Sequence, residues 1–167
     1  MRKIYYFLLA LITLLCLNQT IAAKEVLGWV ENARIYPGGI ELKAKLDTGA
    51  KTTSLGCECF NFIERNGKKW IRFTIKDGIG TALTLERKIE RMGTIKRHFG
   101  ESQKRPVIKL GICLSGTYRQ TEVNLVDRKG MNYQLLIGRS FLEQHFIIDP
   151  AKTFTKKPLC SEAGLAK

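Results

Sequence analysis

Ile40-Glu41-Leu42-Lys43-Ala44-Lys45-Leu46-Asp47-Thr48-Gly49-Ala50 alternates apolar and polar side chains as far as Leu46, then breaks into an acid, a hydroxyl and a glycine. Alternation with period two marks a strand with one buried face. It predicts that Ile40, Leu42, Ala44 and Leu46 point inward. Asp47 then stands where a rigid strand ends, in a turn whose glycine allows close approach of another backbone. Two such carboxylates held together cannot both ionise. They share a proton, so that one acts as base on a water while the other acts as acid on a carbonyl oxygen. On its own the Asp-Thr-Gly string also fits an ordinary turn with a threonine cap.

Outward from this stretch the alternation continues. Tyr36-Pro37-Gly38-Gly39 reads as a turn from an earlier strand, about Val26 to Ile35. Trp70 to Ile75 alternates with Ile71, Phe73 and Ile75 on one face, between turn signals at Asn66-Gly67 and Asp77-Gly78. Pro106 to Leu110 and Thr121 to Val126 are further strands, and Asp127-Arg128-Lys129-Gly130 reads as a hairpin turn. Only Ser140 to Gln144 looks helical. Phe146 to Asp149 returns to strand and is expected to stop at Pro150. Many short strands with glycine-rich turns and one short helix indicate an all-β barrel or sandwich.

The second informative segment is Gln134-Leu135-Leu136-Ile137-Gly138-Arg139, whose glycine lies 91 residues beyond Asp47. In aspartic proteases of the retroviral type, an apolar-apolar-glycine strand packs behind the Asp-Thr-Gly loop and a helix follows. Both parts occur here in that order, so the chain resembles a retropepsin. A closer resemblance rests on Asp47 to Thr52, Arg105-Pro106-Val107-Ile108, Val126-Asp127-Arg128 with Met131, Gly138-Arg139 and Asp149-Pro150. In these blocks the chain is similar to the bacterial family long labelled ATP-dependent zinc proteases, now grouped with retropepsin-like aspartic endopeptidases. The sequence has no phosphate-binding Gly-x-x-x-x-Gly-Lys-Ser/Thr loop and no His-Glu-x-x-His, and its only histidines are His98 and His145.

The resemblance implies a retropepsin-like closed barrel with the short helix after the Leu-Ile-Gly-Arg strand. It implies a catalytic Asp47 oriented by Thr48 and Gly49, and support from Ile137, Gly138 and Arg139. Ala50, Lys51 and Arg105 fall in the same blocks and are expected at the substrate. Lys51 is equally well read as a solvated lysine. A flap over the cleft is expected at Gly93 to Gly100, bringing Arg97 and His98 to the substrate; an exposed basic hairpin fits those residues too. With one Asp-Thr-Gly per chain, the second aspartate has to come from an identical subunit, on a two-fold axis. Asp77, Asp127 and Asp149 are read as structural acids of turns and strand ends.

Met1-Arg2-Lys3, an apolar run from Ile4 to about Leu17, and small residues at Ala22-Ala23 have the layout of a secretory signal peptide. The run is short of the roughly 20 apolar residues that a membrane span needs, so residues 1–23 are expected to be removed. An uncleaved anchor is the alternative. Residues 24–167 then form one protease domain in the periplasm or otherwise exported, with no stable membrane span. Removing Arg2 and Lys3 leaves 26 basic and 15 acidic side chains, a net charge of +11. That favours acidic peptides, acidic glycans or anionic surfaces as partners. Nucleic acid is not expected, because the chain is exported and its basic residues are scattered rather than interleaved with aromatics.

Cys57, Cys59, Cys113 and Cys160 remain after the leader, an even number that suggests disulfides in an oxidising compartment. Cys57 and Cys59 are too close to pair comfortably with each other, so each is expected to seek a distant partner. The Cys-x-Cys spacing is poor for zinc, and no metal or other cofactor is expected. The function that follows is an exported, homodimeric aspartic endopeptidase with a possible preference for acidic peptides. The alternatives are a catalytically inactive barrel that binds acidic peptides or envelope polymers, and a zinc hydrolase.

Overall fold

The computed structural model describes residues 23–95, 101–128 and 130–160, without the side chains of residues 59 and 60. The expected leader, residues 1–22, lies outside them. Among the described residues, eleven strands and one helical turn follow one another as β1 (Glu25–Tyr36), β2 (Ile40–Asp47), β3 (Thr53–Gly56), β4 (Glu58–Arg65), β5 (Lys68–Lys76), β6 (Ala82–Lys88), β7 (Arg91–Ile95), β8 (Gln103–Leu114), β9 (Thr117–Val126), β10 (Leu135–Gly138), α1 (Arg139–Leu142) and β11 (Phe146–Thr153).

Six strands close into a mixed barrel in the order β1-β2-β10-β3-β9-β8, sealed where Ala33 to Tyr36 pair with Leu114 to Gly111. Beyond the seal the two closing strands part. The first half of β1 pairs in parallel with β11, and the first half of β8 pairs with β7. The alternation in β2 is borne out: Ile40, Leu42, Ala44 and Leu46 are buried and the residues between them are not. They join Ile35, Leu55, Ile108, Leu110, Leu125, Leu135 and Ile137 in one core. A separate sheet, β4-β5-β6, adds Ile71, Phe73 and Ile75 to that core from one side, as the second alternating run predicts. Each such side chain, fully buried, contributes roughly 1.5–3 kcal/mol relative to exposure.

The predicted turns at Tyr36 to Gly39, Asn66-Gly67 and Asp77-Gly78 each join antiparallel neighbours. Asn66 and Gly67 take φ of 50° and 68°, the left-handed pair that tight hairpins require. Asp77 closes its own turn by accepting hydrogen bonds from the backbone N–H of Ile79 and Thr81.

Three expectations need correction. Asp127 to Gly130 does not make a hairpin: β10 pairs with β2 and β3 rather than with β9, so this segment is a crossover. Strand β11 does not stop at Pro150. It runs to Thr153 through a register shift between Gly28 and Val30 of β1, and an edge strand tolerates a proline at such a bulge. Cys57 is a free thiol, 6% exposed among core side chains, not a disulfide partner. Burial pushes its pKa up to about 12. The bridge joins Cys113 to Cys160, with Cα atoms 5.9 Å apart, as suits an oxidising compartment. The side chain of Cys59 lies outside the described set. No helix among the described residues is long and apolar enough to cross a membrane.

Candidate active site

Asp47 is the last residue of β2. Parallel pairing with β10 sets it opposite Gly138. Since Leu46 points into the core, the alternation turns Asp47 outward, and its side chain is 24% exposed. Oδ1 accepts hydrogen bonds from the N–H of Gly49 at 2.9 Å and of Ala50 at 3.1 Å. The carboxyl is thus fixed by its own turn, with Oδ2 3.8 Å from the Lys45 ammonium. Thr48, Gly49 and Lys51 are exposed at the tip of the loop.

The segment from Ile137 to Arg139 holds this loop from behind. A Cβ at Gly138 would stand 2.7 Å from the carbonyl carbon of Thr52 and 2.9 Å from the oxygen of Lys51. Only glycine lets the two backbones come so close. The next two amides complete the contact: Arg139 N–H donates to Ala50 O at 2.9 Å and Ser140 N–H to Lys51 O at 3.0 Å. The Arg139 guanidinium reaches back over the loop and donates to the carbonyls of Thr48 and Gly49 at 2.8 and 2.9 Å. Ile137 is buried in the core beneath. Segments 91 residues apart in sequence therefore form one braced loop.

Arg105 lies on β8. Its guanidinium donates to Gln103 and to Asn124 Oδ1, the latter at 3.1 Å. Asn124 in turn donates to the Thr53 carbonyl at 2.7 Å, and so ties Arg105 to the strand that follows the loop. Arg97 and His98 fall in residues 96–100, outside the described residues. The strands on either side, β7 and β8, form the antiparallel hairpin that a flap would need.

Two residues of this neighbourhood escaped the sequence reading of the site. Asn124 is 4% exposed; its one signal was an asparagine within a strand, where that residue is disfavoured. Arg128 packs over Gly56 and donates to Tyr133 O and Ser54 Oγ. Burial holds its guanidinium below the ordinary range, while the Asp47 carboxylate pulls the other way. The one signal for Arg128 was its place in the Val126-Asp127-Arg128 block of the family resemblance, which carried no role for it. Among the described residues, no three His, Cys, Asp or Glu side chains converge as a metal site would require.

A closed mixed barrel, an outward Asp-Thr-Gly loop and a glycine strand braced behind it define a retropepsin-like domain. A family model described as "RimB-like: Retropepsin-like aspartic endopeptidase RimB" matches residues 26–158, and the chain belongs to that family. Among curated relatives, a probable alpha-L-glutamate ligase of Shewanella pealeana is 33% identical over 116 residues, covering 68% of this chain and 25% of the relative. Another from Desulfotalea psychrophila is 30% identical over 133 residues, covering 77% of this chain and 29% of the relative. The chain thus spans about a quarter of the length of these curated relatives. The crystal structure of Lpg0085 from Legionella pneumophila, a DUF785 protein of unknown function, superposes with a TM-score of 0.68 at 37% identity. That match covers 81% of this chain and all of the other.

Proposed function

We propose that this protein is an exported aspartic endopeptidase, active as a homodimer whose two Asp47 side chains face each other across the two-fold axis. One observation carries the reading. Asp47 is pinned by the Gly49 and Ala50 amides on a loop braced from behind, and that loop presents Thr48 and Gly49 outward. Such a surface suits a second copy of itself.

In the dimer the two facing carboxyls cannot both carry a charge, so the pair holds a single proton. The ionised Asp47 takes a proton from a water as that water's oxygen attacks the peptide carbonyl carbon. The protonated carboxyl of the partner subunit's Asp47 gives its proton to the carbonyl oxygen. Collapse of the tetrahedral intermediate breaks the C–N bond, and the amine leaves with a proton. Hydrogen bonds from Gly49 and Ala50 keep the carboxyl aimed, and the Arg139 clamp keeps the loop from yielding under substrate.

Export is supported by the leader-like residues 1–23 and by the Cys113–Cys160 bridge. A preference for acidic peptides is supported by the basic surface of the chain. It also agrees with the relatives named for glutamate ligation, in which a matching segment makes up about a quarter of the length.

The test is hydrolysis of a mixed peptide library at mildly acid pH by the parent chain and by Asp47→Asn. The parent cleaves and is inhibited by a statine-type peptide. The variant loses activity by at least the roughly 10²–10⁴-fold that acid–base catalysis supplies. Activity that survives Asp47→Asn but disappears with a chelator transfers the function to a metal. If neither protein cleaves, the barrel is a binding module.

A further inference from the structure

Two hollows on the barrel wall run together into one track. The first, of about 550 Å³, is lined by Tyr36, Trp70, Arg87, Lys88, Lys109 and Tyr118, between the three-stranded sheet and the outer face of β8 and β9. The second, of about 390 Å³, shares Lys109 and Gln120 with the first and ends at Lys51, Thr52 and Ser140. Lys51 and Thr52 follow directly on the Asp47 loop. The track therefore starts beside the candidate active site and leads away from it.

Its walls carry aromatic rings and its net charge is positive. Tyr36 and Tyr118 meet edge to face at 5.9 Å. Tyr118 lies over Gly111, where a Cβ would come within 2.3 Å of the phenol oxygen, so the glycine makes room for the ring. Arg65 stacks over Trp70 at 5.6 Å. The acids along the track have basic neighbours: Arg91 pairs with Glu122, and Lys88 lies 3.9 Å from Glu90. Five basic side chains, Lys51, Arg87, Lys88, Arg91 and Lys109, line the track against two acids, Glu90 and Glu122, and Lys109 also acts on Glu122, so the surface is positive on balance. Rings beside ammonium and guanidinium groups suit side chains with an aliphatic stem and a carboxylate end, because the stem packs on the ring while the charge meets a cation.

We propose that this track is an exosite that holds an acidic stretch of the substrate polypeptide, beyond the residues flanking the scissile bond. The choice of occupant rests on the protease reading above. The exosite itself is separable, since it is built from side chains outside the catalytic loop.

The experiment uses the chain carrying Asp47→Asn, a fluorescent deca-glutamate peptide and a matched deca-glutamine peptide. The glutamate peptide binds, more weakly as salt rises, and the glutamine peptide does not. Adding Arg87→Gln and Lys109→Gln weakens binding roughly tenfold, whereas Arg87→Lys with Lys109→Arg retains it, which separates loss of charge from misfolding. In the Asp47 background the Gln pair leaves hydrolysis of a short neutral peptide unchanged. If the short peptide is cut and the Gln pair binds deca-glutamate as tightly as its parent, the exosite falls and the protease reading stands. If no peptide is cut but the Gln pair loses binding, the exosite stands and the protease reading falls. Displacement of deca-glutamate by an alginate oligomer at lower concentration overturns the peptide occupant in favour of an acidic polysaccharide.

Discussion

Asp47 owes its aim to two amides, and those amides owe their position to Gly138 and Arg139. Gly138→Ala drives a methyl into the Thr52 backbone. Overpacking of that kind costs roughly 1–3 kcal/mol, so the denaturant midpoint falls and peptidase activity falls with it. Arg139→Met removes both donors to the Thr48 and Gly49 carbonyls. Charged hydrogen bonds contribute roughly 1.5–3 kcal/mol when sheltered and less at an exposed site. Here kcat is expected to fall more than stability; an equal loss of both would leave Arg139 a purely structural residue. Cys57 has no such role. Its thiol, pushed up to about 12 by burial, stays protonated at neutral pH and resists alkylation until the chain unfolds. Peptide mapping after iodoacetamide treatment, native against denatured, reads this directly.

Among the elements, β2 was legible because a half-buried strand writes its two faces into alternate residues, and β10 because an apolar run ending in glycine marks a close backbone approach. The second sheet was half legible: Ile71, Phe73 and Ile75 showed the inward face of β5, but nothing in that run showed that it sits apart from the barrel. Strand β11 was misjudged at Pro150 because its edge position, which excuses the proline, depends on pairing with β1 far away in sequence. Cysteine pairing was equally hidden, since a tail fold chooses the partner. That tail, after β11, continues along β1 in the same direction. Phe154 N–H donates to Val30 O, Thr155 and Lys156 donate to the buried carboxylate of Glu31, and Leu159 N–H donates to Ser115 O beside the Cys113–Cys160 bridge. Glu31→Ala leaves the Thr155 and Lys156 donors and the Gly28 N–H without their acceptor. Each buried loss costs about 1–3 kcal/mol, and hydrogen exchange at 155–156 should rise sharply. Reduction of the bridge should cost roughly 2–5 kcal/mol, visible as a lower Tm under dithiothreitol; an unchanged Tm would mean that the strap holds without it.

At the scale of the whole molecule, acid acts in two directions. Asp77, Glu86, Glu122 and Asp149 are all held below the usual carboxylate range, respectively by the Thr81 side chain, Arg72, Arg91 and the Ala151 amide, each the largest cause. A lowered native pKa contributes stability that is present above the unfolded value, near 4, and is lost as pH falls through the native one. Tm should thus hold from neutral pH to about 5 and decline below about 4, while a carboxyl pair sharing one proton favours mild acid. A usable window between the two is expected, and thermal scans beside rate profiles would locate it. If the paired site needs two copies, activity per chain should also rise with protein concentration until the dimer is saturated, in step with the mass seen by sedimentation. The wide spacing between β2 and its partner β10 bears on synthesis as well. A ribosome has to deliver the chain past Gly138 before the Asp47 loop gains its backing, so a nascent fragment that stops short of β10 carries that loop without its brace.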